Sequence, residues 1–268
     1  MNTKMDPKGA AYEYFPIHLV SDRDLVALCE AYFDSEALGY DEFDDLTERR
    51  GRYFNAIDNY IATKIRTMDV CKRIVSFGCG TGRREAQIVQ VLAPAPAPEV
   101  IGIEISARMG SIATSRGLRV IRNLGDAGTP PPGSVDLAIC LYSFIHLPDR
   151  ETRLGVLRSL ARALREGGLL ILDVFNLCDK YEWRSKISDG GSGVRPPLSG
   201  EHRGDVIYRR RAHQETSYMH YFTVGEICSL VEDAGLTITE LSAVGHGHLP
   251  GKMSVPLDEG CLLLTCYR

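Results

Sequence analysis

The sequence predicts an α/β protein: one domain with a mostly parallel sheet and helices on both of its faces. Two observations carry this prediction. From residue 72 onward, short apolar runs alternate with amphipathic ones at the lengths of strands and helices. A glycine-rich loop, Gly78–Gly82, joins the first of these strands to the first helix. A length of 268 residues suffices for one large domain or two small ones, and we expect one domain over residues 1–268.

Five apolar runs are the predicted parallel strands. They are Arg73–Phe77, Val100–Glu104, Leu118–Ile121, Val135–Cys140 and Leu169–Val174. Helical patterns lie between them, and near-continuous apolar strands separated by helices indicate a parallel sheet that is buried on both faces.

Two helices and two further strands complete the predicted fold. The helix before the fifth strand is expected to stop at Gly167. Thr223 and Glu226 form the capping box of the next helix. The strands Leu236–Leu241 and Cys261–Cys266 lie too close in sequence for a helix between them, so we expect an antiparallel pair at one sheet edge.

The remaining segments flank a core of residues 72–175. Residues 1–71 are predicted to be a helical N-terminal cap, with Ser21 capping its first helix. Residues 176–222, rich in Gly, Pro and Arg, are predicted to be an irregular insertion, and residues 223–268 hold the last helix and the edge strands. We expect the cap and the insertion to lie above the carboxyl ends of the strands, where open α/β sheets bind ligands.

Charge and cysteine content exclude several classes of protein. The formal net charge of −4 gives no general attraction to nucleic acid or to an anionic membrane. The eight cysteines include no C-x-x-C pair, which favours reduced thiols over disulfides or a zinc site. No run approaches the roughly 18 apolar residues that span a bilayer, and the N-terminus lacks the apolar stretch of a signal peptide. We therefore expect a cytoplasmic protein without a bound metal.

The loop from Phe77 to Gly82 is the first part of a predicted cofactor site. It follows a strand and precedes a helix, so its backbone N–H groups and the helix N-terminus can face a ligand. Glu104, at the end of the second strand, suits the ribose hydroxyls of a nucleoside. Gly125-Asp126-Ala127 follows the third strand and suits an adenine amino group. Leu141–Leu147 follows the fourth strand and is expected to line the cofactor and the acceptor.

These motifs give the chain a family resemblance. The segments that carry it are Ile74–Gly82, Gly102–Glu104, Gly125–Ala127, Val135–Ala138, Leu164–Gly168 and His220–Thr223. From about Lys72 to Arg268, the sequence resembles the class I S-adenosylmethionine-dependent methyltransferases, particularly those that act on small molecules. The resemblance implies a Rossmann-like sheet of seven strands, the last of them antiparallel, and S-adenosyl-L-methionine as the cofactor.

The resemblance also assigns parts of the cofactor to residues. It implies that Glu104 holds the ribose, Asp126 the adenine amine and the glycine loop the methionine part. The residues predicted to bind the cofactor are Ser76, Phe77, Gly78, Cys79, Gly80, Thr81, Gly82, Glu104, Ile105, Asp126, Ala127, Leu141 and Arg50. NAD is a rival cofactor, but its fingerprint requires glycine at position 83, where this chain has Arg83.

One position departs from the family's pattern. The family usually has Asp or Glu two residues before the first loop glycine, where the acid helps to hold the cofactor's ammonium group, and this chain has Ser76. A serine accepts a hydrogen bond but brings no charge, and a charge-assisted bond is roughly twice as strong as a neutral one. Weaker cofactor binding, an acid supplied from elsewhere and a non-catalytic protein all stay open.

Methyl transfer from a sulfonium is an in-line displacement, so the main tasks of the protein are alignment and desolvation. A base is required only when the acceptor carries a proton of high pKa. His146 is the predicted base, because it follows the fourth strand and histidine titrates near neutrality. Tyr142 is predicted to orient the acceptor. For both residues, a packing role is the alternative.

Two histidine-containing motifs are further candidates. His220 and Tyr221 either face the pocket or pack the insertion against the next helix. His246 and His248 lie in a short motif that could suggest a metal, but no Cys or acidic ligand stands at a useful spacing. We interpret that motif as a solvated loop.

Residues outside the core are candidates for contacts with the acceptor or the cofactor. The run Arg209–Arg211, with His213, either places an arginine in the pocket, where it would bind a carboxylate or phosphate, or forms a charged edge strand. Tyr40, Arg50 and Tyr53 are the cap residues predicted to close over the methionine carboxylate.

The predicted function is S-adenosylmethionine-dependent methylation of a small molecule at oxygen or nitrogen, with an anionic metabolite or a natural-product intermediate as candidate acceptors. An RNA methyltransferase that uses the arginine cluster is one alternative, and a non-catalytic cofactor-binding or scaffold protein is another. We expect a small-molecule partner and neither nucleic acid nor membrane. The sequence leaves the oligomeric state open.

Overall fold

A seven-stranded sheet lies at the centre of the protein, and a second sheet of three strands accompanies it. The computed structural model describes residues 12–17, 24–42, 48–92, 97–182, 195–210 and 214–268, with the backbone alone at 48–50, 91–92 and 210. In chain order the elements are β1 (Tyr12–Phe15), α1 (Leu25–Glu36), α2 (Glu48–Thr67), β2 (Arg73–Phe77), α3 (Arg83–Leu92), β3 (Glu99–Ile103), α4 (Ala107–Ser115), β4 (Arg119–Ile121), β5 (Val135–Cys140), α5 (Arg150–Ala163), β6 (Leu164–Val174), β7 (Asp205–Arg210), β8 (Ser217–His220), α6 (Val224–Asp233), β9 (Thr237–Val244) and β10 (Cys261–Tyr267).

The large sheet has the strand order β4-β3-β2-β5-β6-β10-β9, and β10 alone runs against the other six. The chain builds outward from β2 to β4 and then returns to place β5 on the other side of β2. Phe77 pairs with Cys140, so the carboxyl ends of β2 and β5 lie side by side. Open α/β sheets bind ligands where the strand order reverses in this way. The loop after β2 and the segment after β5 therefore meet at one crevice.

Apolar side chains cover both faces of this sheet, as its near-continuous apolar strands predict. On one face, α5 and α6 contribute Leu157, Leu160 and Leu230 to the core. On the other face, α2 contributes Ile57 and Ile61. Each fully buried side chain of this size stabilises the fold by about 1.5–3 kcal/mol. Burial on both faces fixes the sheet and, with it, the loops at its carboxyl edge.

The edge of the large sheet agrees with the prediction, whereas the boundary between α5 and β6 does not. The antiparallel pair at the sheet edge is confirmed, with β10 between β6 and β9. The prediction that Gly167 ends the preceding helix is wrong. α5 ends at Ala163 and β6 begins at once, because Leu164 pairs with Val135. Gly167, with a φ of +69°, lies in the register shift that follows, so its left-handed backbone belongs to an irregularity of the strand.

The N-terminal segment and the insertion together form the second sheet. β1 pairs antiparallel with β7, and β7 pairs antiparallel with β8. Glu13 lies opposite Arg209, 196 residues further along the chain. The prediction that residues 1–71 are helical throughout is therefore wrong at Tyr12–Phe15. A strand of four residues with so distant a partner leaves no local signal that separates it from a helix.

The first helix begins later than predicted. The carboxylate of Asp24 accepts hydrogen bonds from the N–H groups of Val26 and Ala27, so Asp24 is the N-cap of α1. Ser21, the predicted cap, lies outside the described residues. None of the described helices is long and apolar enough to cross a membrane. All eight cysteines are free thiols and five of them are buried, as predicted for reduced core residues.

Candidate active site

A cavity of about 500 Å³ lies at the carboxyl ends of β2 to β5. This volume is within the range of small-molecule sites in proteins. Phe33, Tyr40 and Phe54, which precede the core in sequence, line part of the cavity wall. The residues that line the sheet side include Phe77, Gly78, Cys79, Gly80, Thr81, Glu104, Ile105, Asn123, Leu124, Leu141, Tyr142, Ser143 and His146. The predicted glycine loop, Glu104 and the segment after β5 thus meet at one cavity.

The backbone of the glycine loop requires glycine at its first position. Gly78 has a φ of +67°, and a Cβ on it would overlap the Cβ of Ser143. The N–H groups of Gly78 and Cys79 both donate to the carbonyl of Ile103, which ties the loop to the end of β3. Cys79 is buried, and burial raises the pKa of its thiol well above the ordinary value, so it packs and does not act as a nucleophile.

Glu104 is held in place by the backbone on both of its oxygens. Its Oε2 accepts from the N–H of Gly80 at 2.8 Å, and its Oε1 accepts from the N–H of Ser106 at 2.9 Å. Burial raises the pKa of this carboxyl. Since each carboxylate oxygen can accept about two hydrogen bonds, both keep capacity for a further donor. This geometry fits the two hydroxyls of a ribose, which is the role that the family resemblance implies.

Ser76 lies beneath the loop and not on the cavity wall. Its hydroxyl donates to Oε1 of Glu85 at 2.6 Å, and both residues are buried. Oε2 of Glu85 has no hydrogen-bond partner among the described residues, and burial raises the pKa of this carboxyl. The first turn of α3 therefore places the carboxylate of Glu85 next to Ser76, the strand position at which the family usually has an acid. Glu85, like Ser76, is not among the residues that line the cavity, so its carboxylate faces Ser76 behind the cavity wall.

Sequence reasoning left "an acid supplied from elsewhere" open but did not find Glu85. The available signal was an acidic residue in the first turn of the helix after the loop, nine residues beyond Ser76. Acids in a first helical turn are common because they complement the helix dipole, so that signal alone is weak.

The segment after β4 differs from its predicted role. Asp126 and Ala127 are exposed, and neither lines the cavity. The Asp126 carboxylate accepts from the N–H of Asn123 at 2.8 Å and so closes its own turn. Asn123 and Leu124, which sequence reasoning passed over, line the cavity instead.

The two predicted catalytic residues both lie on the cavity wall. His146 belongs to a single 3-10 turn, and its Nδ1 lies 2.7 Å from the carbonyl oxygen of Tyr218. A carbonyl only accepts, so Nδ1 carries the hydrogen and Nε2 carries the lone pair. Burial lowers the pKa of His146 to about 4. Protonation at pH 7 would therefore cost about 4 kcal/mol, which makes His146 a hydrogen-bond acceptor and a poor proton acceptor.

Tyr142 adopts a positive φ of +56°, an uncommon conformation for a residue with a side chain. A buried carboxylate holds it there. Asp173, at the end of β6, accepts the N–H of Tyr142 at 2.6 Å and the hydroxyl of Tyr53 at 2.9 Å. Burial raises the pKa of Asp173 to about 6, although the N–H of Tyr142 and the charge of Arg84 oppose the shift. Backbone strain of this kind is common at functional sites.

Sequence reasoning missed Asp173 and placed Tyr53 differently. The signal for Asp173 was a single acid inside the apolar run of the fifth predicted strand. Tyr53 is fully buried and donates to Asp173. Tyr40 lies on the cavity wall, and its contact with the methionine carboxylate stays a prediction. Arg50 lies in α2, and its side chain is outside the described part of the chain.

His220 has the packing role that was the alternative to a place in the pocket. Its Nδ1 lies 2.6 Å from Asp205, and its Nε2 lies 2.9 Å from Glu226. Thr223 caps α6 by accepting the N–H of Glu226. The Glu226 carboxylate, however, binds His220 and Arg153. Of the two hydrogen bonds of the predicted capping box, the structure therefore has the one to the Thr223 hydroxyl.

Arg209 also serves the fold. It forms an ion pair with Glu13 at 2.5 Å across β1 and β7. β7 is the central strand of the small sheet, so the alternative prediction of an edge strand is wrong. The side chain of Arg210 and all of Arg211 and His213 lie outside the described residues.

The predicted solvated loop at His246 is wrong. The side chain of His246 is only 12% exposed, and its Nε2 lies 2.6 Å from the hydroxyl of Tyr142. The ring of His248 stacks on that of Tyr181 at 4.2 Å. Within the part of the chain that the structure describes, no group of three or more His, Cys, Asp or Glu side chains could hold a metal ion.

Acidic residues of the N-terminal cap bind the loops that surround the cavity. Asp41 accepts the hydroxyl of Thr81 at 2.7 Å and Nη2 of Arg116 at 2.6 Å. Asp34 accepts the hydroxyl of Ser106, the residue that also donates its N–H to Glu104, at 2.5 Å. We call Asp34 and Asp41 the cap latch. They connect the N-terminal cap to the glycine loop and to the loop after β3.

The fold and the site together define the class of protein. Residues 38–241 match the methyltransferase domain family. This match covers more than half of the chain, and the chain belongs to that family. Its class I members use S-adenosylmethionine as the methyl donor. The family and the cofactor that the motifs predicted are thereby confirmed, as is the seven-stranded sheet with an antiparallel last strand.

Individual relatives differ in what they methylate. A ubiquinone biosynthesis O-methyltransferase of Xanthomonas campestris pv. campestris is 28% identical over 123 residues, which cover 44% of this chain and 48% of that protein. The match thus spans about half the length of that relative. A tRNA (carboxymethyluridine(34)-5-O)-methyltransferase of Schizosaccharomyces pombe is 26% identical over 186 residues, which cover 65% of this chain and 75% of that protein.

Solved structures share the architecture. The CcbJ methyltransferase of Streptomyces caelestis superposes with a TM-score of 0.63 at 15% identity, over 90% of this chain and 98% of that one. An S-adenosylmethionine-dependent methyltransferase of Clostridium acetobutylicum superposes with a TM-score of 0.59 at 16% identity, over 85% of this chain and 98% of that one. At these identities the likeness concerns the fold alone.

Proposed function

We propose that this protein transfers the methyl group of S-adenosylmethionine to an oxygen or nitrogen of a small molecule bound in the cavity. The observation that carries the proposal is the size and the aromatic lining of the cavity, which holds the glycine loop and Glu104 on one part of its wall and Phe33, Phe54 and Tyr142 on another. A cavity of about 500 Å³ has the size of a small-molecule site.

When bound, S-adenosylmethionine supplies a methyl group on a positively charged sulfur. The protein's own contribution is to align the acceptor and to exclude water. Phe33, Phe54 and Tyr142 give the wall an aromatic character that suits a planar acceptor. Tyr142 and His146 provide polar groups that can orient its hydroxyl or amine. The ion pair of Arg209 with Glu13 removes one reason to expect an anionic acceptor.

A tRNA acceptor is the second candidate, because the Schizosaccharomyces pombe relative is named for one. Binding of RNA would have to overcome a formal net charge of −4, since phosphate contacts supply most of the affinity of such complexes.

The test is transfer of a radiolabelled methyl group from S-adenosylmethionine to three acceptor pools: simple catechols and phenols, small amines, and total tRNA. We expect label in a small-molecule pool. Label in tRNA alone would replace the proposal with the second candidate. Calorimetric binding of the cofactor with no label in any pool would support a non-catalytic protein.

A further inference from the structure

We propose that Tyr142, His246 and Glu182 form a proton relay that removes the proton of the acceptor during methyl transfer. The inference rests on the proposed function. The hydroxyl of Tyr142 lies 2.6 Å from Nε2 of His246, and Nδ1 of His246 lies 3.5 Å from Oε2 of Glu182. Tyr142 and His246 each lie two residues after the end of a strand, β5 and β9, and Glu182 lies eight residues after the end of β6. Of the three, Tyr142 lies on the cavity wall.

The relay is enclosed. The side chains of His246 and Glu182 are 12% and 5% exposed. The imidazole packs against the rings of Tyr53 and Phe175, with centroid distances of 5.3 and 5.6 Å. Electrostatic interactions are stronger where water is excluded, so the carboxylate of Glu182 favours a positive charge on His246 more than an exposed one would.

The partners of His246 determine where its hydrogen lies. An ionised Glu182 only accepts, and it also accepts the hydroxyl of Tyr221 at 3.4 Å. The relay assigns the hydrogen of His246 to Nδ1, which faces Glu182, and leaves the lone pair of Nε2 for the hydroxyl of Tyr142. His146 has a different partner, because the carbonyl of Tyr218 orients its ring but brings no charge to stabilise an imidazolium. Of the two histidines, His246 is the one equipped to receive a proton.

The proton transfer balances the charge of the reaction. A lone pair of the acceptor oxygen or nitrogen forms the bond to the methyl carbon, and the pair of the broken carbon–sulfur bond stays on sulfur. The acceptor's proton moves to the oxygen of Tyr142, and the proton of Tyr142 moves to Nε2 of His246. One positive charge is lost at sulfur and one appears on His246 beside Glu182. A carboxylate that orients and stabilises an imidazolium has this role in other enzymes.

Other titratable groups face the relay from the elements packed around it. Asp173, at the end of β6, holds the N–H of Tyr142, and Tyr53 of α2 donates to Asp173. Arg84 of α3 and Cys261 of β10 lie near enough to Asp173 to interact with its charge. Tyr221, after β8, donates to Glu182. A pH profile alone would combine these groups, so the test varies the acidity of the acceptor.

The first experiment compares catechol with 4-nitrocatechol, which is far more acidic and needs less help to lose its proton. For Tyr142→Phe and His246→Gln we expect kcat with catechol to fall by about 100-fold, a typical contribution of acid–base catalysis. With 4-nitrocatechol the loss should be less than about tenfold, because an acceptor already ionised needs no base. His248→Gln, two residues away, is the matched control and should keep the wild-type ratio. Equal losses on both acceptors, or no loss on either, would overturn the relay.

The second experiment needs no activity and reads the proton directly. Nuclear magnetic resonance of the full chain with ¹⁵N-labelled histidine reports which nitrogen of His246 bears hydrogen, and His246→Gln identifies the signal. We expect the Nδ1–H form at neutral pH, and a shift toward the Nε2–H form in Glu182→Gln. An Nε2–H form in the wild type would overturn the relay. If the wild type methylates neither catechol, the proposed function fails for this acceptor class, while the resonance still decides the relay.

Discussion

Around the glycine loop, which is the proposed cofactor side of the cavity, backbone groups of two short loops set the geometry. Around Tyr142, which is the proposed acceptor side, the side chains of distant segments set it. The N–H group of Gly78 donates to the carbonyl of Ile103, and the N–H groups of Gly80 and Ser106 donate to the carboxylate of Glu104. All of these residues lie within 30 residues of chain. Tyr142, by contrast, depends on Asp173, His246 and Glu182. A geometry fixed by backbone tolerates few changes but needs few residues. Where side chains fix the geometry, single substitutions can change which acceptor the site binds.

The largest expected effect comes from Gly78→Ala, on the cofactor side. The positive φ alone costs about 1–2 kcal/mol, and the new Cβ overlaps Ser143. We expect cofactor binding to weaken by at least about 100-fold in calorimetry, which corresponds to about 2.7 kcal/mol. Gly80→Ala has a positive φ but meets nothing nearer than Met109 at 3.8 Å, so its loss should be smaller. Gly225→Ala, in open space on α6, is the control, and equal affinities in all three variants would contradict this account.

The next effect concerns two buried groups on the acceptor side whose pH dependences oppose each other. Burial raises the pKa of Asp173 to about 6. The folded state therefore binds more protons than the unfolded state between about pH 4 and 6, and the free energy of unfolding falls as pH rises. Burial lowers the pKa of His146 to about 4, so the unfolded state binds more protons up to about pH 6.5, and stability rises with pH. Each group contributes on the order of 3 kcal/mol.

Single substitutions should separate these two contributions. As pH rises from 4 to 6.5, the free energy of unfolding of Asp173→Asn should increase relative to that of the wild type. The free energy of unfolding of His146→Gln should decrease relative to that of the wild type over the same interval. Urea unfolding at pH 4, 5, 6 and 7 measures the difference, with Asp69→Asn at an exposed position as the control. Changes of the same sign in both variants would mean that one of the two assignments is wrong.

A smaller effect is expected for Glu104→Gln. An amide cannot accept from Gly80 and Ser106 with both of its ends, and it binds ribose hydroxyls without the help of charge. We expect the dissociation constant of S-adenosylmethionine to rise about 10- to 30-fold, or roughly 1.4–2 kcal/mol. Glu99→Gln, an exposed acid on the same strand, should leave it unchanged. An unchanged constant in Glu104→Gln would remove Glu104 from the cofactor site.

The smallest effect is expected at the cap latch. Asp41→Asn weakens the contacts with Thr81 and Arg116, in which the Arg116 and Asp41 side chains are 31% and 25% exposed. Such pairs contribute up to about 1 kcal/mol, so cofactor binding should weaken about two- to fivefold. Added salt should reduce the difference from the wild type, because it screens the wild-type pair. The exposed neighbour Glu42→Gln is the control, and a difference that survives high salt would point away from electrostatics.

The contrast between the two sides also explains what the sequence could predict. The strands around the glycine loop are apolar runs with clear ends, and Glu104 follows its strand at a spacing that the loop geometry requires. These signals are local. The roles of Glu85, Asp173 and His246 depend on hydrogen bonds to distant residues. Their partners are Ser76 for Glu85 and Tyr142 for the other two, at 9, 31 and 104 residues away in sequence. No periodicity or spacing reports such pairings, so a solvated loop was a reasonable but wrong interpretation of His246.

The pairing of β1 with β7 has a consequence for the order in which the protein assembles during synthesis. Glu13 cannot meet Arg209 until 196 further residues have been made. At about 5–20 residues per second, that interval is roughly 10–40 seconds. The strands that carry the cofactor loops are contiguous in sequence and can pair during this time, while Tyr14 waits for Tyr208, its partner in the small sheet. The pairing of β1 with β7 is therefore a late step of assembly, and the small sheet is completed after the strands that carry the glycine loop and Glu104.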